Sequence, residues 1–156
     1  MGLACDYVVG KEGVVLNPHY KTLGLSGSEY HTYTLPKRVS EAMSQKLLDE
    51  CLPISVGMAK EIGMIDEVFS RENYYEELHQ FALSTIDDDF LWDKQDYLEV
   101  NRAKIEALKE RELQTMHPEF WDKESTFHKL RQEFVYKVCP RETPKRLKYK
   151  ARRDHA

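Results

Sequence analysis

The apolar pattern of this chain changes period near Ser70, and that change restricts the fold more than any other feature. Ahead of it lie short, β-branched runs, LACDYVV over residues 3–9 and GVVLNP over 13–18, separated by GKEG, a turn signal. Behind it the apolar residues recur at helical spacing: Leu98, Ile105, Leu108 and Met116 form one stripe between charged faces. The pattern predicts an α/β first part, residues 1–69, followed by a helical region, residues 70–156. Within the second part, helices are expected over 71–86 and 94–116, with IDDDFLWD capping and turning between them. A last helix is expected over 125–138, presenting Phe127, Leu130, Phe134 and Val135 before Pro140 and Pro144 end it and leave an extended tail.

Within the first part, Ser26 and Glu29 have the Ser-x-x-Glu spacing of a capping box, which predicts a helix starting near Gly27. Pro36 then implies a kink or a break. Ala42, Met43, Leu47, Leu48 and Cys51 fall at helical spacing behind Ser40, giving a second helix over 40–51. The following segment reads as a turn, a short helix stopped by Gly63 and a strand over 64–69.

Charge and cysteine usage narrow the class. The chain of 156 residues is one domain's worth of sequence, and no apolar run approaches the ~20 residues of a membrane span. Its opening does not read as a signal peptide, so the cytoplasm is the expected compartment and no membrane partner is expected. The three cysteines, Cys5, Cys51 and Cys139, are widely spaced and lack ligand spacing to histidine. They read as small buried hydrophobes, with no metal site implied. Net charge is −4, yet residues 137–156 hold eight Lys or Arg against two acids. A basic tail docking on an acidic body accounts for this better than nucleic-acid binding.

Between the first strands and the first helix runs NPHYKTLGLSGSEYHTY, residues 17–33, too rich in titratable and hydrogen-bonding groups for a plain connector. His19 is a candidate proton carrier, histidine being the side chain suited to proton transfer near neutral pH, or it is a hydrogen-bonded turn residue. Tyr20 and Tyr30 offer hydroxyl donors for orienting a substrate, or amphipathic packing at a pocket rim. Glu29 is a proton acceptor or the last member of the capping box. Ser26, Gly27 and Ser28 present backbone N–H groups where an anion or carbonyl oxygen can sit, and capping explains them equally. Asn17 and Pro18 shape the loop.

Several of these stretches carry a resemblance. CDYVV, a strand ending in Asn-Pro, and ISVGMAKEIGMIDEVF resemble the second half of a crotonase (enoyl-CoA hydratase/isomerase) domain, in which Ala-x-x-x-Gly-φ-φ-Asp-x-Val recurs, φ being hydrophobic. More narrowly, EGVVLNPHYKTLGLSGSEYHTYTLPKRV and FVYKVCPRETPKRL resemble the crotonase-like C-terminal region of the hydrogenase maturation factor family HypX/HoxX. The resemblance implies the second half of a crotonase-type ββα spiral with a helical C-terminal extension. It also implies a parent protein that passes a formyl group from formyl-tetrahydrofolate to coenzyme A and releases carbon monoxide from formyl-CoA for nickel–iron hydrogenase. By resemblance, His19, Tyr20, Glu29 and Tyr30 line the reacting end, and Asn17, Ser26, Gly27 and Ser28 bind substrate. Both amide donors of the thioester oxyanion hole, each worth about 3–4 kcal/mol, are then expected upstream of Met1. The expected partner is therefore the N-terminal half of the same protein, with other hydrogenase maturation proteins or a second copy as further partners, and the chain alone is expected to be inactive. A generic enoyl-CoA hydratase or isomerase and a non-catalytic helical interaction module are the alternatives; His19, where hydratases carry a Glu, argues against water addition.

Overall fold

The computed structural model describes residues 2–27 and 29–148, with the side chains of Asp88 and Arg146 excepted. Two small sheets organise the first part. Strand β1 (Val9–Lys11) pairs in parallel with β4 (Glu67–Phe69), placing Gly10 opposite Val68, while β2 (Val15–Leu16) pairs antiparallel with β3 (Ile54–Ser55). Between them lie helices α1 (His31–Val39), α2 (Glu41–Glu50) and α3 (Val56–Glu61). The parallel pair requires a crossover, and the last piece of that crossover is α3.

Gly10 explains how α3 packs so closely on the strand. A Cβ at this position would lie 2.9 Å from both Ile65 Cδ1 and Val56 Cγ1, inside any normal carbon contact. Its hydrogen lets Val56, Ala59 and Ile65 close into one buried cluster, with Ala59 wholly inaccessible. A second cluster, Leu35, Val39 and Leu47, joins α1 to α2 and meets the first through Ile54 and Met64. Gly63, at φ +78°, ends α3 in the left-handed region, with the Met64 N–H turning back to Ala59 O at 2.8 Å. Ser40 caps α2 by accepting from Met43 N, as its position in the sequence predicts.

Several boundaries differ from the sequence reading. Residues 5–8 are not a strand, and a 3-10 turn occupies Gly2–Ala4. The carbonyls of Cys5 and Asp6 are taken by the Arg38 guanidinium, at 3.0 and 3.1 Å, rather than by a neighbouring strand. Helix α1 runs unbroken through Pro36. Of the cysteines, only Cys51 is buried, as the left-handed C-cap of α2; Cys5 and Cys139 are exposed, because the segments that carry them lie on the surface.

Beyond Ser70, α4 (Tyr74–Ser84) is followed by α5 (Asp88–Trp121), 34 residues long, and by α6 (Thr126–Val135). Asp87 caps α5, accepting from Asp89 N, but residues 90–93 continue the helix instead of turning. Glu99–Arg102 and Glu106–Lys109 pairs line its outer faces. These helices fold back onto the first part through aromatic contacts: Phe81 lies 5.6 Å from both Tyr7 and Phe69, ring centre to ring centre. Within the tail, Lys148 lies 3.7 Å from Glu142, while residues 149–156 lie outside the described ones. Among the described residues, no helix is long and apolar enough to cross a membrane.

Candidate functional site

The polar loop leaves β2 and returns as α1, and the chain bends twice to bring it over a cleft. Asn17 O accepts from His19 N at 3.0 Å and lies 2.9 Å from His19 Nδ1, starting a 3-10 turn over Tyr20–Leu23. Gly24 then enters the left-handed region at φ +72°, where a Cβ would meet Thr126 Oγ1 at 2.7 Å and Phe127 N at 3.1 Å. The start of α6 thus sits directly against the loop. Gly27, at φ +105°, lies over the face of the His31 ring, with a notional Cβ 2.7 Å from His31 Cε1. Glu29 and Tyr30 follow with φ of +65° and +58°, two successive left-handed residues that turn the chain into α1.

Ser26 and Glu29 do not form the predicted capping box. Tyr30, not Ser26, precedes the first helical residue, and its side chain caps nothing. The free amides of the helix start are satisfied from α5: Glu112 Oε2 accepts from Tyr30 N at 2.9 Å, and Oε1 accepts from Thr32 N at 2.9 Å and Thr32 Oγ1 at 2.5 Å. One heptad further along α5, Glu119 accepts from Ser26 N at 3.0 and 3.1 Å. The Ser26 amide is therefore already occupied by a carboxylate, and it is not open to a substrate oxygen. Ser28 lies outside the described residues.

A cleft of about 620 Å³ opens beneath this loop. Its lining carries the polar residues Asn17, Tyr20, Glu29 and His31 together with apolar ones that include Leu16, Leu35 and Met64. Tyr20 and His31 face one another with ring centres 6.2 Å apart. Burial, then the nearby carboxylates of Glu29 and Glu112, push the Tyr20 phenol above its ordinary value of 10.0, so the hydroxyl stays protonated at neutral pH and can donate. Tyr20 and Glu29 thus line the same cleft. His19 is exposed and outside the lining. Tyr30 lines an adjoining cavity of about 710 Å³ between the first turn, α1 and α5, where Tyr33 Oη lies 2.7 Å from Tyr97 Oη.

His31, Glu112 and Glu119 escape a reading by motif. Glu112 is 7% exposed, and its Oε1 lies 3.2 Å from His31 Nδ1. One signal does exist in the sequence: Leu98, Ile105, Glu112 and Glu119 recur every seventh residue, so the two acids continue the stripe that Leu98 and Ile105 begin on α5. Among the described residues, no group of His, Cys, Asp and Glu is arranged to hold a metal ion.

The fold has known counterparts. An enoyl-CoA hydratase/isomerase from Pseudoalteromonas atlantica, 18% identical, superposes with a TM-score of 0.74 over 90% of this chain and 57% of its own, and an enoyl-CoA hydratase from Mycobacterium avium, 16% identical, at 0.76 over 91% of this chain and 58% of its own. The chain has the crotonase fold, as the second part of such a domain with added helices. No family model matches it. HypX from Aquifex aeolicus, whose crystal structures include a complex with tetrahydrofolic acid, is 35% identical with a TM-score of 0.81, covering 93% of this chain and 27% of the other. The hydrogenase maturation factor HoxX of Bradyrhizobium diazoefficiens is 32% identical over 152 residues. The chain thus corresponds to the C-terminal, crotonase-like region of the HypX/HoxX hydrogenase maturation factors, and spans about 27% of the length of the curated relative.

Proposed function

We propose that this chain supplies the acid–base wall of a formyl-CoA site in a HypX-like protein that makes carbon monoxide for hydrogenase assembly. The observation that carries the proposal is the convergence of Tyr20 and Glu29 on one cleft whose lining is otherwise largely apolar. In this reading the thioester lies along the cleft and Glu29 takes the formyl C–H proton. The C–S bond breaks with its electron pair left on sulfur, carbon monoxide departs, and a proton returned to sulfur yields the free thiol of coenzyme A. Tyr20, held protonated by its surroundings, donates a hydrogen bond to the acyl oxygen or to the sulfur as charge develops. Oxyanion amides come from the upstream half of the crotonase domain, and formyl-tetrahydrofolate is consumed by a domain further upstream. His19 has no part in the chemistry, being outside the cleft. Domain division near Ser70 is part of the same proposal, with residues 70–156 as a helical region covering the site.

The test is a chimera in which this chain replaces the matching region of the Bradyrhizobium factor. With formyl-CoA, carbon monoxide release is expected from the chimera and none from the isolated chain. Replacing Glu29 by Gln in the chimera is expected to lower turnover about 100-fold, and Tyr20→Phe about tenfold. Turnover of crotonyl-CoA with none of formyl-CoA would instead mark a generic hydratase and reject the proposal.

A further inference from the structure

Within the reading just given, we infer that Glu112 is a positioning residue, which sets the geometry of the cleft from a helix that does not line it. Its carboxylate meets four groups within three consecutive residues: the N–H of Tyr30, the N–H and hydroxyl of Thr32, and Nδ1 of His31. Among the described residues no Lys or Arg pairs with it, although it is almost fully buried. Buried carboxylates are held by hydrogen bonds or cations; here the start of α1 provides the donors and its dipole the favourable potential. What Glu112 fixes is the left-handed pair Glu29–Tyr30, a conformation that non-glycine residues hold only when their surroundings impose it. On one side of that pair stands Glu29, in the cleft wall; on the other stands His31, opposite Tyr20. Releasing the turn therefore moves the proposed base and the ring that backs Tyr20 together, while the apolar lining stays put.

The variant Glu112→Gln keeps the size and one oxygen but turns an NH2 toward an N–H donor, so one of the three bonds becomes a clash of donors. In the 156-residue chain, amide hydrogen exchange at Tyr30 and Thr32 is expected to rise about tenfold, and the Glu29 carboxyl resonance to shift in isotope-edited NMR. Glu119→Gln, which releases only Ser26, is expected to leave both signals unchanged. In the chimera, Glu112→Gln is expected to lower kcat about tenfold with KM within roughly twofold, the signature of misplacement rather than lost binding. If Glu112→Gln fails to fold, Thr32→Val removes the hydroxyl bond alone and is expected to shift the same two signals by less. Unchanged exchange and an unchanged Glu29 resonance in whichever variant folds overturn the inference. A wild-type chimera without activity on formyl-CoA overturns the proposed function only, because exchange and resonance decide the role of Glu112 independently.

Discussion

Replacing Gly10 by alanine tests the packing on which the whole first part depends. The added Cβ would lie 2.9 Å from Ile65 Cδ1, 2.9 Å from Val56 Cγ1 and 3.0 Å from Val56 Cβ, against an ordinary carbon–carbon contact of about 3.5–4.0 Å. Val56 and Ile65 are 4% and 5% exposed, and each is locked in the cluster around Ala59, so neither has free space to move into. Overpacking of this kind costs about 1–3 kcal/mol. Alanine recovers part of the entropy glycine loses on folding, about 0.4–1 kcal/mol, leaving a net loss of about 1.3 kcal/mol at mid-range. With an m-value of about 2 kcal/mol per molar urea, the unfolding midpoint should fall by about 0.5–1 M at unchanged m. The cause is checked by a double-mutant cycle with Val56→Ala, which removes the clashing Cγ1 and alone loses about 1.6 kcal/mol for two buried methyl groups. The double variant should be more stable than the sum of the two losses by at least about 0.5 kcal/mol. A midpoint unmoved by Gly10→Ala, or strict additivity in the cycle, would refute the close approach of α3 to β1.

Arg38→Ala removes three charge-assisted bonds, to Asp66 Oδ2, Cys5 O and Asp6 O, and should cost about 1.5–3 kcal/mol in urea unfolding, with faster amide exchange at Val8, whose N–H donates to the same Asp66. Tyr33 is pushed up to about 12 by burial and then by its hydrogen bond with Tyr97. Because the folded value is raised, the folded state holds the proton longer: full stability persists below the ordinary value of 10.0 and declines as pH climbs through about 12. Tyr97→Phe should lower the Tyr33 midpoint, read by tyrosinate absorbance, and shrink that alkaline loss. The hydroxyl and then the backbone N–H of Ser70 hold the Glu77 carboxyl below its ordinary 4.5, so its contribution is present above that value and lost as pH falls through the lowered one. Ser70→Ala should move the Glu77 midpoint, followed by NMR, upward toward 4.5.

Local periodicity alone locates α2, α3 and α6 closely, because a helical face and a serine cap are written within a dozen residues; Ser40 and Ser125 cap the helices their positions announce. The same locality identifies the loop that carries Tyr20 and Glu29, since a dense run of polar residues between a strand and a helix is visible without coordinates. It misplaces the start of α1 for the same reason. Ser26 and Glu29 have capping-box spacing, but the groups that satisfy this helix start belong to Glu112, which bonds Tyr30 from 82 residues away. Pairing of β1 with β4, the seat of Gly10 against α3, and the choice of His31 over His19 as the histidine of the cleft likewise depend on contacts between distant segments. Sequence spacing records which face a residue occupies on its own element; only the packed chain decides what stands opposite that face. A buried carboxylate at the heptad position after Leu98 and Ile105 holds the start of α1 because the tertiary fold sets that helix N-terminus in front of it.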